Sequence, residues 1–183
     1  VSGYIKSKYR MTYNKVNKMI KGDQELIEKY QDLYPMILDM VALSDIIRSR
    51  REEAGALDFD VVETKIVVDK TGKPIDVLAR SRDKAEMLIE DFMLSANETI
   101  ALTLNHLEYP CCYRVHEEPS KERLSNLAPL LATVGVKLGN IGNGVKPKVL
   151  QKALEKIKGT GSEIALNSML LRAMAKARYD SIC

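Results

Sequence analysis

The sequence predicts an α+β fold, a mostly helical segment built around one β-hairpin. Three observations carry that prediction. Apolar residues recur at spacings of three and four through residues 26–53 and again through 80–107, the repeat of one helix face. Between residues 61 and 78 the repeat drops to two, on either side of a turn that contains glycine. Helix-start residues stand where helices should begin: Asp23, Ser120 and Pro147.

The elements follow in order. The opening VSGYIKSKYRMTYNKV alternates polar with aromatic or aliphatic residues and turns helical near Tyr13. Gly22 stops this first helix, and Asp23 caps a second with Gln24 and Glu25 in its first turn. The pattern then runs from Leu26 to about Glu53, and Pro35 should kink or split it. Its methionines and leucines, including Leu33 and Met40, read as core. Val61–Val68 and Ile75–Leu78 flank DKTGKP and form the hairpin. One long helix runs from Arg80 to Leu107, and Cys111–Val115 reads as a short strand. Ser120 caps a helix to about Thr133. The glycine cluster GVKLGNIGNGVKP at 135–147 reads as a connection, because no Lys-Ser/Thr pair follows to make a phosphate loop. Basic helices over 147–158 and 162–178 close the chain.

With 183 residues, 45% of them hydrophobic and 29% charged, the chain can bury a sizeable core. It contains no apolar run near the roughly 20 residues of a bilayer span and no signal-peptide pattern, so no membrane partner is expected. The chain opens on Val, which suggests a piece of something longer. Cys111 and Cys112 are adjacent and Cys183 is terminal, a usage that fits a reducing cytoplasm. His106 and His116 stand ten apart with no CxxC nearby, so no metal site is expected within this segment. Nor is there a Ser/His/Asp or Cys/His set for nucleophilic catalysis.

Charge is unevenly spread. Residues 1–21 carry six Lys/Arg and no acid, residues 22–120 are strongly acidic, and residues 121–183 hold 11 basic against 4 acidic residues. Basic flanks point to a polyanion partner, although solvated faces can give the same pattern. The first flank interleaves Tyr4, Tyr9 and Tyr13 with Lys6, Lys8, Arg10 and Lys15, the mixture of rings and cations that single-stranded nucleic acid favours. Half-buried strands also use tyrosine.

One position stands out in IEDFMLSAN, residues 89–97. Helical spacing puts Met87, Glu90, Leu94, Asn97, Ala101 and Leu104 on one stripe, so Glu90 enters an apolar wall. A carboxylate there needs a partner, because an unpaired buried charge costs several kcal/mol. A nearby Arg or Lys would serve, and so would a ligand.

Five stretches in order resemble the catalytic RNB domain of the ribonuclease II and ribonuclease R exoribonucleases. They are RMTYNKV (10–16), ALDFD (56–60), the hairpin leading into IEDFMLSAN, YRVHEEPS (113–120) and MLLRAMAKARYD (169–180). The last two favour the ribonuclease R branch. The resemblance implies that residues 1–183 are the central segment of a larger mixed α/β RNB domain, in a cytoplasmic enzyme that degrades RNA from its 3′ end. Such enzymes act processively and hydrolytically, release nucleoside 5′-monophosphates and use Mg²⁺. The family's aspartate cluster and its TSPIRRY-type arginine motif are both missing from this sequence. No catalytic residue and no bound metal are therefore expected in the segment, and alone it should not cleave RNA.

What the resemblance does carry over is RNA binding. Phe59 in ALDFD matches a phenylalanine that stacks on a base near the 3′ end; otherwise it anchors the start of the hairpin. Tyr13 matches a tyrosine that helps select RNA over DNA, and Glu90 matches its partner glutamate, a pair able to bracket a ribose 2′-OH. Asn97 and His116 are weaker candidates, for which helix packing and a structural hydrogen bond are the competing readings. The expected partners are a single-stranded RNA 3′ end and the remaining domains of the longer chain, with no DNA preference. The alternatives are a non-catalytic RNA-binding or protein-interaction module of the same fold and, suggested only by the basic C-terminal helices, a DNA-binding regulator.

Overall fold

The computed structural model describes residues 3–57, 64–79, 82–139, 141 and 144–182. The chain divides into two compact units, Val1–Arg48 with Glu63–Ala96 and Ser49–Val62 with Asn97–Cys183.

In the first unit, helix α1 spans Tyr13–Ile20 and begins where Thr12 accepts a hydrogen bond from the Lys15 amide. Helix α2, Gln24–Lys29, starts at Asp23, whose carboxylate accepts from the Leu26 amide at 3.1 Å. A side-chain cap of this kind stabilises a helix end by about 1 kcal/mol. The long apolar pattern is indeed split: turns cover residues 30–33, and helix α3 restarts over Tyr34–Glu53 with Pro35 in its first turn. Proline is tolerated there because a first-turn amide has no helical acceptor to lose. Met19, Tyr30 and Ile37 form the core that joins α1, α2 and α3. The Tyr9 and Tyr30 rings meet edge to face, with centroids 5.2 Å apart.

Strands β1 (Thr64–Val68) and β2 (Pro74–Ala79) form the antiparallel hairpin, from Thr64 opposite Ala79 to Val67 opposite Asp76, with a bulge at Val67/Val68. Its turn is organised by Asp69, which accepts from the Thr71 amide at 2.8 Å and the Lys73 amide at 3.0 Å, while Gly72 takes φ +86°. That left-handed backbone is open to glycine at little cost. Val61–Glu63, the expected first part of this strand, lie outside the described residues. Helix α4 spans Lys84–His106. It starts later than the expected Arg80, since Arg82 and Asp83 precede it without helical structure.

In the second unit, β3 (Tyr113–Val115) precedes α5 (Lys121–Thr133), which Ser120 caps by accepting from the Arg123 amide. Helices α6 (Pro147–Ile157) and α7 (Glu163–Ala173) pack with α5 around Leu124, Leu131, Leu150, Ile157, Leu166 and Leu170, each 2% exposed or less. Burying such a side chain contributes about 1.5–3 kcal/mol.

Two expectations are corrected. The last helix ends at Ala173, and Arg178–Asp180 form strand β4, antiparallel to β3 with Arg114 opposite Tyr179. Pairing with a strand more than 60 residues away overrides the helical preference of the MAKAR run. The apolar stripe along α3 is also less buried than a core reading implies, with Ile37 buried but Ile46 half exposed. No helix among the described residues is long and apolar enough to cross a membrane.

Candidate nucleic-acid interface

Tyr13 is the first residue of α1 and is exposed, held at the helix entrance by the Thr12 cap. Glu90 lies in the second turn of α4 and is gripped by Arg82. One guanidinium nitrogen, Nη2, donates to Glu90 Oε1 at 2.9 Å and to Oε2 at 2.8 Å, while Nε donates to Oε2 at 3.0 Å. The arrangement fixes the plane of the carboxylate, as forked Arg–carboxylate pairs do. Both side chains remain partly open to solvent, at 40% for Arg82 and 35% for Glu90.

The apolar wall expected around Glu90 is therefore displaced. The face of α4 that faces inward carries Ala85, Leu88 and Asp91, while Asn97 is exposed. The fully buried carboxylate is Asp91, to which the sequence reading attached no significance. Ser44 Oγ donates to its Oδ2 at 2.8 Å, Arg48 Nε donates to the same oxygen at 3.2 Å, and Arg48 Nη2 lies 3.1 Å from Oδ1. Adjacent helix positions differ by about 100°, so a stripe drawn one residue off selects the wrong acid.

A second buried polar residue, Asn17, joins α1 to the start of α4. Its Oδ1 accepts from the Ala85 amide at 2.8 Å, and its Nδ2 donates to Glu86 Oε2 at 2.9 Å. Sequence reading passed over it; the available signal was an asparagine inside a helix, where it is disfavoured unless its side chain has a task. At the other end of α1, Lys21 Nζ lies 3.3 Å from Asp83 Oδ2.

Tyr13 borders a cavity of about 1000 Å³ whose lining includes Tyr9, Met36, Met40, Leu88 and Ile89. Lys8 and Tyr9 at its rim both donate to Asp32. The bond from Lys8 holds the Asp32 carboxyl below the usual carboxylate range and raises Lys8 in turn. Some of the interleaved tyrosines and cations thus serve each other: Lys8 sits over the Tyr9 ring at 5.5 Å, and Lys15 over Tyr30 at 5.9 Å.

In the second unit, His116 is exposed, and a ring N–H donates to the Ala175 carbonyl, linking the segment after β3 to the one before β4. Arg178 Nε donates to Glu117 Oε1 at 2.8 Å, and Arg178 also pairs with Asp180. The bonds to Glu117 and Asp180 raise the Arg178 guanidinium further above its already high value. His116 borders a cavity of about 1290 Å³ whose lining sets Arg51, Arg123, Arg172 and Lys176 beside Glu117 and Glu118, a net basic surface. Phe59, with Asp58 and Asp60, lies outside the described residues. Among the described residues no group of three His, Cys, Asp or Glu side chains converges as metal ligands do.

Comparison with known proteins matches this geometry to one family. The RNB domain model matches residues 1–182. The chain is 44% identical over 176 residues to ribonuclease R 1 of Lactococcus lactis subsp. lactis (strain IL1403), covering 96% of this chain and 22% of that protein. It is 41% identical to ribonuclease R of Aquifex aeolicus (strain VF5), covering 96% and 25%. Among solved structures, Mycoplasma genitalium RNase R in complex with ribose-methylated single-stranded RNA superposes with a TM-score of 0.80 at 31% identity, over 96% of this chain and 27% of that one. The same enzyme in complex with double-stranded RNA gives the same TM-score and identity. The chain thus spans about a quarter of the length of these relatives.

Proposed function

The chain belongs to the RNB domain family, and from that premise we propose that it is the RNA-reading segment of a cytoplasmic exoribonuclease of the ribonuclease R type. The enzyme degrades single-stranded RNA processively and hydrolytically from its 3′ end, releasing nucleoside 5′-monophosphates. The observation that carries this reading is the match to the RNB model across residues 1–182, with ribonuclease R relatives at up to 44% identity.

The residues of this chain read the substrate. Glu90, held in plane by Arg82, accepts a hydrogen bond from a ribose 2′-OH, and the Tyr13 hydroxyl supplies a donor on the other side. Deoxyribose removes the group between them and leaves Glu90 one hydrogen bond short, a discrimination of about 1–3 kcal/mol. The partial exposure of Glu90 places it toward the lower end. Phe59 stacks on a base, a contact every base can make and one that suits an enzyme without sequence preference. The donor set for Mg²⁺ does not occur among the described residues. We assign Mg²⁺ binding and the hydrolytic chemistry to the longer enzyme, and no step given to this chain passes through a metal.

The test uses the full-length protein that carries this sequence. With Mg²⁺ it should shorten a 5′-labelled RNA from the 3′ end and spare the matched DNA. Replacing Tyr13 or Glu90 by Ala should narrow that preference; an unchanged preference in both variants would sink the assignment. The 183-residue chain alone should leave the RNA intact.

A further inference from the structure

We infer that Asn17 is a positioning residue for RNA-over-DNA selection, setting the register of α1 against α4 that brings Tyr13 to the level of Glu90. This inference rests on the ribose-reading role proposed for that pair.

The register can be read from polar rungs. Lys21, the cap that ends α1, meets Asp83 just before α4, and one turn back within α1 Asn17 meets Ala85 and Glu86. As α1 is followed backward, α4 is followed forward, so the two helices run in opposite senses. Continued for one further turn, four residues and about 6 Å on each helix, this alignment leads to Tyr13 and Glu90. Tyr13 and Ile89, the neighbour of Glu90, line the same cavity.

Of the two rungs, Asn17 is the one able to hold the register. Lys21 and Asp83 are exposed, with side chains 67% and 42% open, and such pairs contribute little. Asn17 is 6% exposed and uses its oxygen and its nitrogen on two adjacent residues of α4. Its oxygen supplies the acceptor that the Ala85 amide, in the first turn of α4, lacks within the helix. Sliding α1 by even one residue would break both bonds and leave buried polar groups unmatched. The side chain thus admits one register and penalises the neighbouring ones.

Hydrogen-bond reversal in the full-length protein supplies the test. Asn17→Asp keeps an acceptor for the Ala85 amide but puts a second carboxylate against Glu86. The added change Glu86→Gln restores the bond in reverse, its side-chain amide donating to the new carboxylate. Equilibrium affinities for a short 5′-labelled oligoribonucleotide and the matched oligodeoxyribonucleotide are measured in EDTA, so that neither is cleaved. The RNA-over-DNA affinity ratio should fall about tenfold in Asn17→Asp and recover in the double variant, with DNA affinity unchanged. Glu86→Ala, which spares the Ala85 bond, should lower the ratio in the same direction and serves if Asn17→Asp does not fold. A ratio that holds in Asn17→Asp or Glu86→Ala while Tyr13→Ala or Glu90→Ala lowers it overturns the inference and leaves the ribose reader standing. Equal loss of RNA and DNA affinity also overturns it, marking Asn17 as scaffold alone. If Tyr13→Ala and Glu90→Ala leave the ratio unchanged, the ribose reading fails and the inference falls with it.

Discussion

Arg48 on α3 and Asp91 on α4 form an ion pair at 3.1 Å in which the carboxylate is fully buried and Ser44 donates to it from one turn earlier on α3. The pair fixes the rotation of α4 about its axis, and Glu90, the next residue back, inherits its direction from that lock. Removing one partner of a buried pair is costlier than the pair itself is stabilising, because the other charge stays behind without compensation. Asp91→Ala should therefore destabilise the protein by about 3–5 kcal/mol, and Ser44→Ala by about 1–3 kcal/mol. Urea denaturation checks both, and a loss below about 1 kcal/mol in Asp91→Ala would contradict the lock.

The Arg82–Glu90 pair should behave in the opposite way. Both side chains are about a third or more open to water, and exposed pairs are worth about 0–1 kcal/mol. Arg82→Ala should shift the thermal midpoint by no more than a few degrees while lowering the RNA-over-DNA preference, since Glu90 then turns freely. A large fall in the midpoint with the preference intact would assign the pair to stability instead.

The contrast between these two acids shows what the sequence can and cannot disclose. Local signals were legible: Asp23 and Ser120 cap the helices expected of them, and the turn around Gly72 closes the hairpin. Helical spacing also showed that a carboxylate faces inward on α4, but it chose Glu90 over Asp91. Two neighbouring stripes fit a period of about 3.6 almost equally, and Ser44 and Arg48, which decide between them, lie more than 40 residues away. Strand β4 was missed for the same reason. Three residues carry no periodicity of their own, and only their partner β3 makes them a strand.

The hairpin turn should loosen in acid. The Thr71 hydroxyl and the Lys73 and Thr71 amides hold the Asp69 carboxyl below its usual value. A carboxylate depressed by folding contributes stability that is fully present above its unfolded value, about 3.9. That contribution is lost as pH falls through the lower, folded value. Amide exchange at Thr71 and Lys73 should therefore accelerate, relative to the rest of the chain, only below about pH 4. Asp69→Ala should show the faster relative exchange at neutral pH already. Protection that is independent of pH down to about 2 would refute the role of the carboxylate.

Base stacking by Phe59 makes the last prediction, and it separates two ways of losing affinity. On the proposed reading, stacking is indifferent to the sugar, whereas a ribose contact by Tyr13 and Glu90 is indifferent to the base. In the full-length protein Phe59→Ala should weaken binding of RNA and of matched DNA alike, by about 1–3 kcal/mol for the one base lost from the stack. Phe59→Tyr and Phe59→Trp, which keep a ring, should retain most of the affinity, and the RNA-over-DNA ratio should stay constant throughout. The competing reading, in which Phe59 only anchors the hairpin, predicts lower stability in Phe59→Ala without a specific loss of binding once the folded fraction is allowed for. Affinity for short oligonucleotides, measured beside a thermal melt of the same preparation, decides between them. If Phe59→Ala binds as the parent does at full folding, the stacking assignment is wrong, and the base contact must be sought among the other residues that line the RNA path.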